Sequence, residues 1–131
     1  MIEVLEFLNK AKVFYLATME GDQPRVRPLG FVMECGGKLA FCTSNEKPMY
    51  KQMKANPRVE IAACDSECNT LRICGKAVFA TTPDTQKKAH EVMPDLGKMY
   101  AVGDGKFEIF YLDEAKAVCS TMGGEKKELP L

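Results

Sequence analysis

Residues 37–62, GKLAFCTSNEKPMYKQMKANPRVEIA, order a strand, a polar turn carrying a cation, a short helix, an Asn-Pro break and a second strand. A site for a phosphate group needs that order of parts. Thr43 and Ser44 put hydroxyls where the strand ends. Lys47 adds a point charge, and a helix opening at Pro48 aims its free backbone N–H groups the same way. The stretch therefore suits a phosphorylated ligand held at a strand-to-helix corner. An ordinary βαβ connection with a solvated lysine has the same outline.

Working outward from this stretch, periodicity supplies the other elements. Ile2, Val4, Leu5 and Leu8 mark one face of a helix over 1–11. Residues 13–19, VFYLATM, are β-branched and aromatic and predict a strand. A turn at Gly21-Asp22 leads to a second strand over 23–35, where Pro24 and Pro28 imply an edge or a bulge. Gly36-Gly37 is a hairpin signal before the third strand, 38–43. After the 48–55 helix come strands over 58–64 and 71–81, with Gly75 marking a bulge or a close approach. Pro83-Asp84 opens a helix to about 93. Residues 94–104 read as a Gly- and Met-rich loop, 107–120 as a long last strand with an interruption at Asp113-Glu114, and 123–131 as a polar tail. This is a mainly β (α+β) domain over 1–131: a six-stranded antiparallel barrel with short helices outside it.

Bulk properties narrow the function classes. A chain of 131 residues buries about two thirds of its unfolded surface. Eighteen Lys and Arg balance eighteen Asp and Glu, so nucleic acid and anionic membrane are poor partners. No apolar run reaches the roughly 18 residues of a membrane span, and the N-terminal stretch is too acidic for a signal peptide. A cytoplasmic setting with reduced cysteines is expected. Cys64, Cys68 and Cys74 are spaced C-x3-C-x5-C with no fourth ligand nearby, which suits buried thiols better than zinc. The one histidine, His90, has no nucleophile beside it in the pattern, so triad hydrolysis has no support. No G-x-G-x-x-G or P-loop is present. The eight methionines read mainly as adaptable core filler, although Met93, Met99, Tyr100 and Phe107 could line a flat cofactor.

Arg25 and Arg27 share one face of the second strand and repel unless an anion or acids neutralise them. The second and third strands are expected to be joined by a tight hairpin, which brings Arg27 near the Thr43–Lys47 corner, where Arg27 and Lys47 could together neutralise a phosphate dianion. Lys51, four residues after Lys47, reads as solvated.

Together VFYLATMEGDQPRVRPLGF, LAFCTSNEKPMYKQMKANPRVEI and RICGKAVF resemble the pyridoxamine 5′-phosphate oxidase-like flavoproteins, a split-barrel FMN-binding family, over nearly the whole chain. The resemblance implies a six-stranded antiparallel split β-barrel that binds FMN in a cleft between the subunits of a homodimer. It implies a small FMN-dependent oxidoreductase, closest to the short, nitroimidazole-resistance-like members. By position it assigns Arg27 and Lys47 to the FMN phosphate, at the corner where the residue pattern itself puts the hydroxyls of Thr43 and Ser44. Pro28 and Leu29 run alongside the isoalloxazine ring, with backbone N–H groups near Pro28 to Gly30 placed to stabilise charge on the reduced flavin; Cys42 and Thr43 line the cofactor and Thr70 approaches the ring. The full-length oxidases carry a C-terminal Arg-x-His pair that grips the vitamin phosphate. This sequence ends CSTMGGEKKELPL, so turnover of pyridoxamine phosphate is not expected. The alternatives are a non-catalytic flavin carrier or redox sensor, a deazaflavin or haem protein on the same barrel, and a cysteine metal module.

Overall fold

The computed structural model describes residues 1–131. The chain runs α1 (Ile2–Ala11), β1 (Phe14–Glu20), β2 (Gln23–Leu29), β3 (Met33–Cys35), β4 (Lys38–Ser44), α2 (Pro48–Ala55), β5 (Arg58–Cys64) and β6 (Thr70–Phe79). It continues through α3 (Pro83–Val92), a 3-10 turn (Pro94–Lys98), β7 (Phe107–Ser120) and β8 (Lys126–Leu129). The eight strands form one antiparallel sheet in the order β2-β1-β5-β6-β7-β4-β3, with β8 beside the far half of β7.

Eight strands stand where six were expected, for two reasons. The strand expected over 23–35 is two strands on opposite edges of the sheet: β2 pairs with β1, and β3 pairs with β4. Pro24 and Pro28 have no N–H to donate, which suits β2 to an edge. Beyond Gly30 the chain turns inward to bury Phe31 and Val32. The expected hairpin between Arg27's strand and β4 therefore does not exist; β3 alone makes that hairpin, through Gly36-Gly37. The tail expected over 123–131 also contains a strand. β8 pairs with Ala117–Ser120 and buries Leu129 in the core.

Only three residues separate β2 from β3, although they are the two edges of the sheet. A link of that length spans at most about 14 Å. The sheet must curl until its edges nearly meet without pairing, which makes a barrel split along one seam. The long strand β7 helps it curl. Its first half bridges β4 and β6, its second half bridges β6 and β8, and between them Glu114 adopts a φ of 49°. The register skips there, opposite Gly75. A Cβ on Gly75 would stand 3.1 Å from the Asp113 carbonyl oxygen and 3.2 Å from the Ala115 Cβ, so the close approach anticipated from sequence is real.

The barrel interior holds the larger core, in which Phe14 packs edge-on to Phe41 at 5.9 Å and Phe41 stacks on Phe110 at 5.5 Å. Val4 and Leu8 of α1 and Met49 and Met53 of α2 join it. A second cluster lies beneath α3 and the 3-10 turn, where Ala89 and Leu96 meet Phe31, Met33, Ala40, Phe107 and Ile109. Helix α2 opens on Pro48 and stops at Asn56, because the residue before Pro57 is biased away from helical backbone. Helix α3 opens with a reciprocal cap: the Thr85 N–H donates to Thr82 Oγ1 at 3.1 Å and the Thr82 N–H to Thr85 Oγ1 at 2.9 Å.

Candidate functional site at the barrel seam

The link that joins the two sheet edges forms one wall of a cleft of about 330 Å³. Pro28 and Leu29 of β2 and Gly30 and Phe31 of that link line the cleft together with Cys42 of β4, Lys47, and Met93, Leu96, Met99 and Tyr100. Tyr100 is held by stacking on Phe107, with centroids 4.9 Å apart and planes 7° apart. The loop behind it is pinned by Gln86, which donates to the Phe107 carbonyl at 2.8 Å and accepts from the Gly103 N–H at 3.1 Å. The lining is mostly apolar, with a single cation. That combination suits a flat, largely apolar body with a charged end.

Lys47 is the N-cap residue of α2. Its side chain is exposed and makes no ion pair, no side chain caps the helix, and no acidic residue lies in the first turn. The turn before it is tied down: the Glu46 N–H donates to Ser44 Oγ at 3.2 Å, and Asn45 Nδ2 donates to the Gly105 carbonyl at 2.7 Å and to Glu108 at 3.0 Å. A positive helix end and a free ammonium thus share one fixed corner. Burial pushes the Cys42 thiol up to about 12, against a smaller opposing pull from Lys47. The sulfur is a neutral thiol in this setting.

Alternation along β2 turns Arg27 away from Pro28, onto the face of Leu16 and Thr18. It does not line the cleft. One amino group donates to Thr18 Oγ1 at 2.7 Å and to the Leu16 carbonyl at 3.2 Å; the other donates to Gln52 Oε1 at 2.7 Å. Gln52 lies on α2, five residues beyond Lys47, so Arg27 reaches that helix through Gln52 and not through a β2–β4 hairpin. Burial lowers the Arg27 pKa, yet no carboxylate pairs with it. The nearest acid in the network, Glu20, is bound by Arg25 at 2.8 Å.

The structure thus brings Pro28, Leu29, Gly30, Cys42 and Lys47 together in one cleft and sets Arg27 and Ser44 beside the helix and turn that carry Lys47. Thr43 is buried, with its Oγ1 lacking any hydrogen-bond partner. Thr70 lies elsewhere, on the outer face of the sheet beside Arg72, Lys116 and Ser120. Sequence reasoning missed Thr18 and Gln52, whose only signal is a polar residue at an otherwise core-facing position. It also missed Phe31 and Leu96 in the cleft. Cys64, Cys68 and Cys74 are exposed and not the buried thiols expected, since Cys64 and Cys74 fall on outward positions of β5 and β6; no group of three His, Cys, Asp or Glu converges on them. No helix is long and apolar enough to cross a membrane.

A curled antiparallel sheet left open along one seam, with an apolar cleft and a free cation at that seam, defines a split-barrel protein. The chain belongs to the pyridoxamine 5′-phosphate oxidase family, whose sequence pattern matches residues 1–116. It is similar to a NimC/NimA family protein from Clostridium acetobutylicum, with 40% identity and a TM-score of 0.95, covering 100% of this chain and 92% of that one. A pyridoxamine 5′-phosphate oxidase-related, FMN-binding protein from Nostoc punctiforme shares the fold at 13% identity and a TM-score of 0.63, over 98% of this chain and 95% of that one. A heme-binding protein from Mycobacterium smegmatis shares it at 16% identity and a TM-score of 0.70, over 93% of this chain and 57% of that one. No curated protein matches the chain.

Proposed function

We propose that this protein binds FMN and serves as a small flavin oxidoreductase. The observation that carries the reading is the pairing of an apolar cleft at the seam with cations that have no acidic partner, Lys47 at its end and Arg27 behind α2. A half-buried guanidinium held only by neutral acceptors favours an incoming anion. The unpartnered hydroxyl of Thr43, the uncapped start of α2 and the fixed Ser44–Lys47 turn fit a phosphate at the same corner. Pro28–Gly30, Cys42 and the Met93–Tyr100 side suit the flat ring system. Bound FMN would supply hydride and electron transfer, while the chain binds it, orients it and excludes water. The family membership and the FMN-binding relative support this assignment. The only histidine stacks against Phe107 at 5.5 Å and does not line the cleft, which favours flavin over haem.

The reading includes a homodimer. A cleft of about 330 Å³ lies at the small end of ligand sites, roughly 300–1,000 Å³, and is open on one side. Pro28, which lines it, shares the outer face of β1 and β2 with Tyr15 and Val26, which are 49% and 66% exposed. A second copy seated on that patch would add the missing wall. The test is an absorption spectrum of the purified protein, with mass identification of the released cofactor. Flavin bands and the mass of FMN are expected; a Soret band, deazaflavin bands or a colourless protein that takes up no added FMN would contradict the assignment.

A further inference from the structure

Gln52 is a buried polar residue, 7% exposed, on a helix face otherwise given to Met49 and Met53. A methionine or leucine would pack there without needing partners. Gln52 instead has partners at both ends of its amide. Its Oε1 accepts from the Thr18 hydroxyl at 2.6 Å and from Arg27 at 2.7 Å, and its Nε2 donates to Glu20 at 3.4 Å. Donors on one side and a carboxylate on the other fix which way the amide points. Thr18 is equally constrained, accepting from Arg27 and donating to Gln52. Arg27 is thus held at several points by neutral oxygens, while Glu20, the one acid of the network, is kept on the far side of the amide by Arg25.

We propose that Gln52 is a charge-neutral positioning residue for Arg27: it orients the guanidinium without neutralising it, and so keeps the full charge available to the phosphate of the bound nucleotide. The proposal rests on the FMN reading above. A glutamate of the same length would make the closer ion pair and consume the charge, so the amide selects for a dianionic ligand by leaving Arg27 unpaired. Thr18 is the second support, tying the same guanidinium to β1.

The test is titration of the apoprotein with FMN and with riboflavin, for wild type, Gln52→Glu and Gln52→Met, with a thermal melt of each. Gln52→Glu should fold, and should weaken FMN about tenfold or more while moving riboflavin by less than about twofold. Gln52→Met keeps the volume but removes the acceptor, and should weaken FMN several-fold with riboflavin again unmoved. If the FMN-to-riboflavin ratio of wild type survives in the variants, whether affinities fall together or not at all, Gln52 only packs α2 and the proposal is overturned. If wild type itself does not distinguish the two flavins, the phosphate reading fails first and this proposal falls with it.

Discussion

The residues at the proposed phosphate corner differ in how they should respond to substitution. Arg27 offers a planar fork and Lys47 a mobile point charge. Each charge-assisted contact to a phosphate is worth roughly 1.5–3 kcal/mol, or about one to two decades in affinity. Arg27→Ala and Lys47→Ala should each weaken FMN by that much, read by fluorescence titration, while Lys51→Ala should have a small, salt-sensitive effect. Arg27→Ala should also lower the melting temperature, because it strips a partner from buried Gln52 and Thr18. Cys42 makes a separate prediction. Its folded-state pKa is raised by burial from 9.0 to about 12, so the folded protein holds the proton more tightly than the unfolded chain. The thiol's contribution to stability is fully present below pH 9 and drains as pH climbs from there through about 12. Denaturant melts across that range should show a steeper alkaline loss in wild type than in Cys42→Ala. An equal slope in both would mean that the thiol is not buried. Lys47 and the polar turn were legible in the sequence because solvent-exposed chemistry is written locally. Gln52 was not, since its partners Thr18 and Arg27 come from β1 and β2, far away in sequence.

At the scale of elements, the strands with strong alternation or β-branched runs were readable, and so was α2 with its Pro48 start and Asn-Pro stop. Two features were hidden because they are non-local. The division of residues 23–35 follows from sheet closure, which puts β2 and β3 on opposite edges. Strand β8, KKEL, has only one apolar residue and is specified by the free edge of β7. Its contribution can be measured: Leu129→Ala removes a buried side chain from the main core and should cost about 2–3 kcal/mol in denaturant unfolding. A change of a few tenths of a kcal/mol would mean that β8 is not docked. Gly75 should be as intolerant for a different reason. Gly75→Val drives a branched side chain toward the Asp113 carbonyl and Ala115, and overpacking of that kind costs roughly 1–3 kcal/mol. Full stability in that variant would mean that the β7 bulge can move aside.

For the whole molecule, the seam is the feature from which the functional reading follows. The interior of the curled sheet is filled by the main core, so the cleft lies at the seam and not inside the barrel. Leaving β2 and β3 unpaired turns Pro28–Phe31 into a wall, against which the 3-10 turn and Tyr100 can face. The outer patch of Tyr15 and Val26 adjoins that wall, so assembly and binding should be coupled. Sedimentation of wild type should give twice the chain mass, and Val26→Glu should yield a folded monomer with weakened FMN binding. A monomer that binds FMN as well as wild type does would remove the second subunit from the site. The central claim, that this chain holds a flavin nucleotide by its phosphate, is tested most directly by one equilibrium titration of the wild-type apoprotein with FMN and with riboflavin. The account predicts that FMN binds about tenfold to ten-thousandfold more tightly, the span expected from one to two charge-assisted contacts. Equal affinity for the two flavins would contradict it.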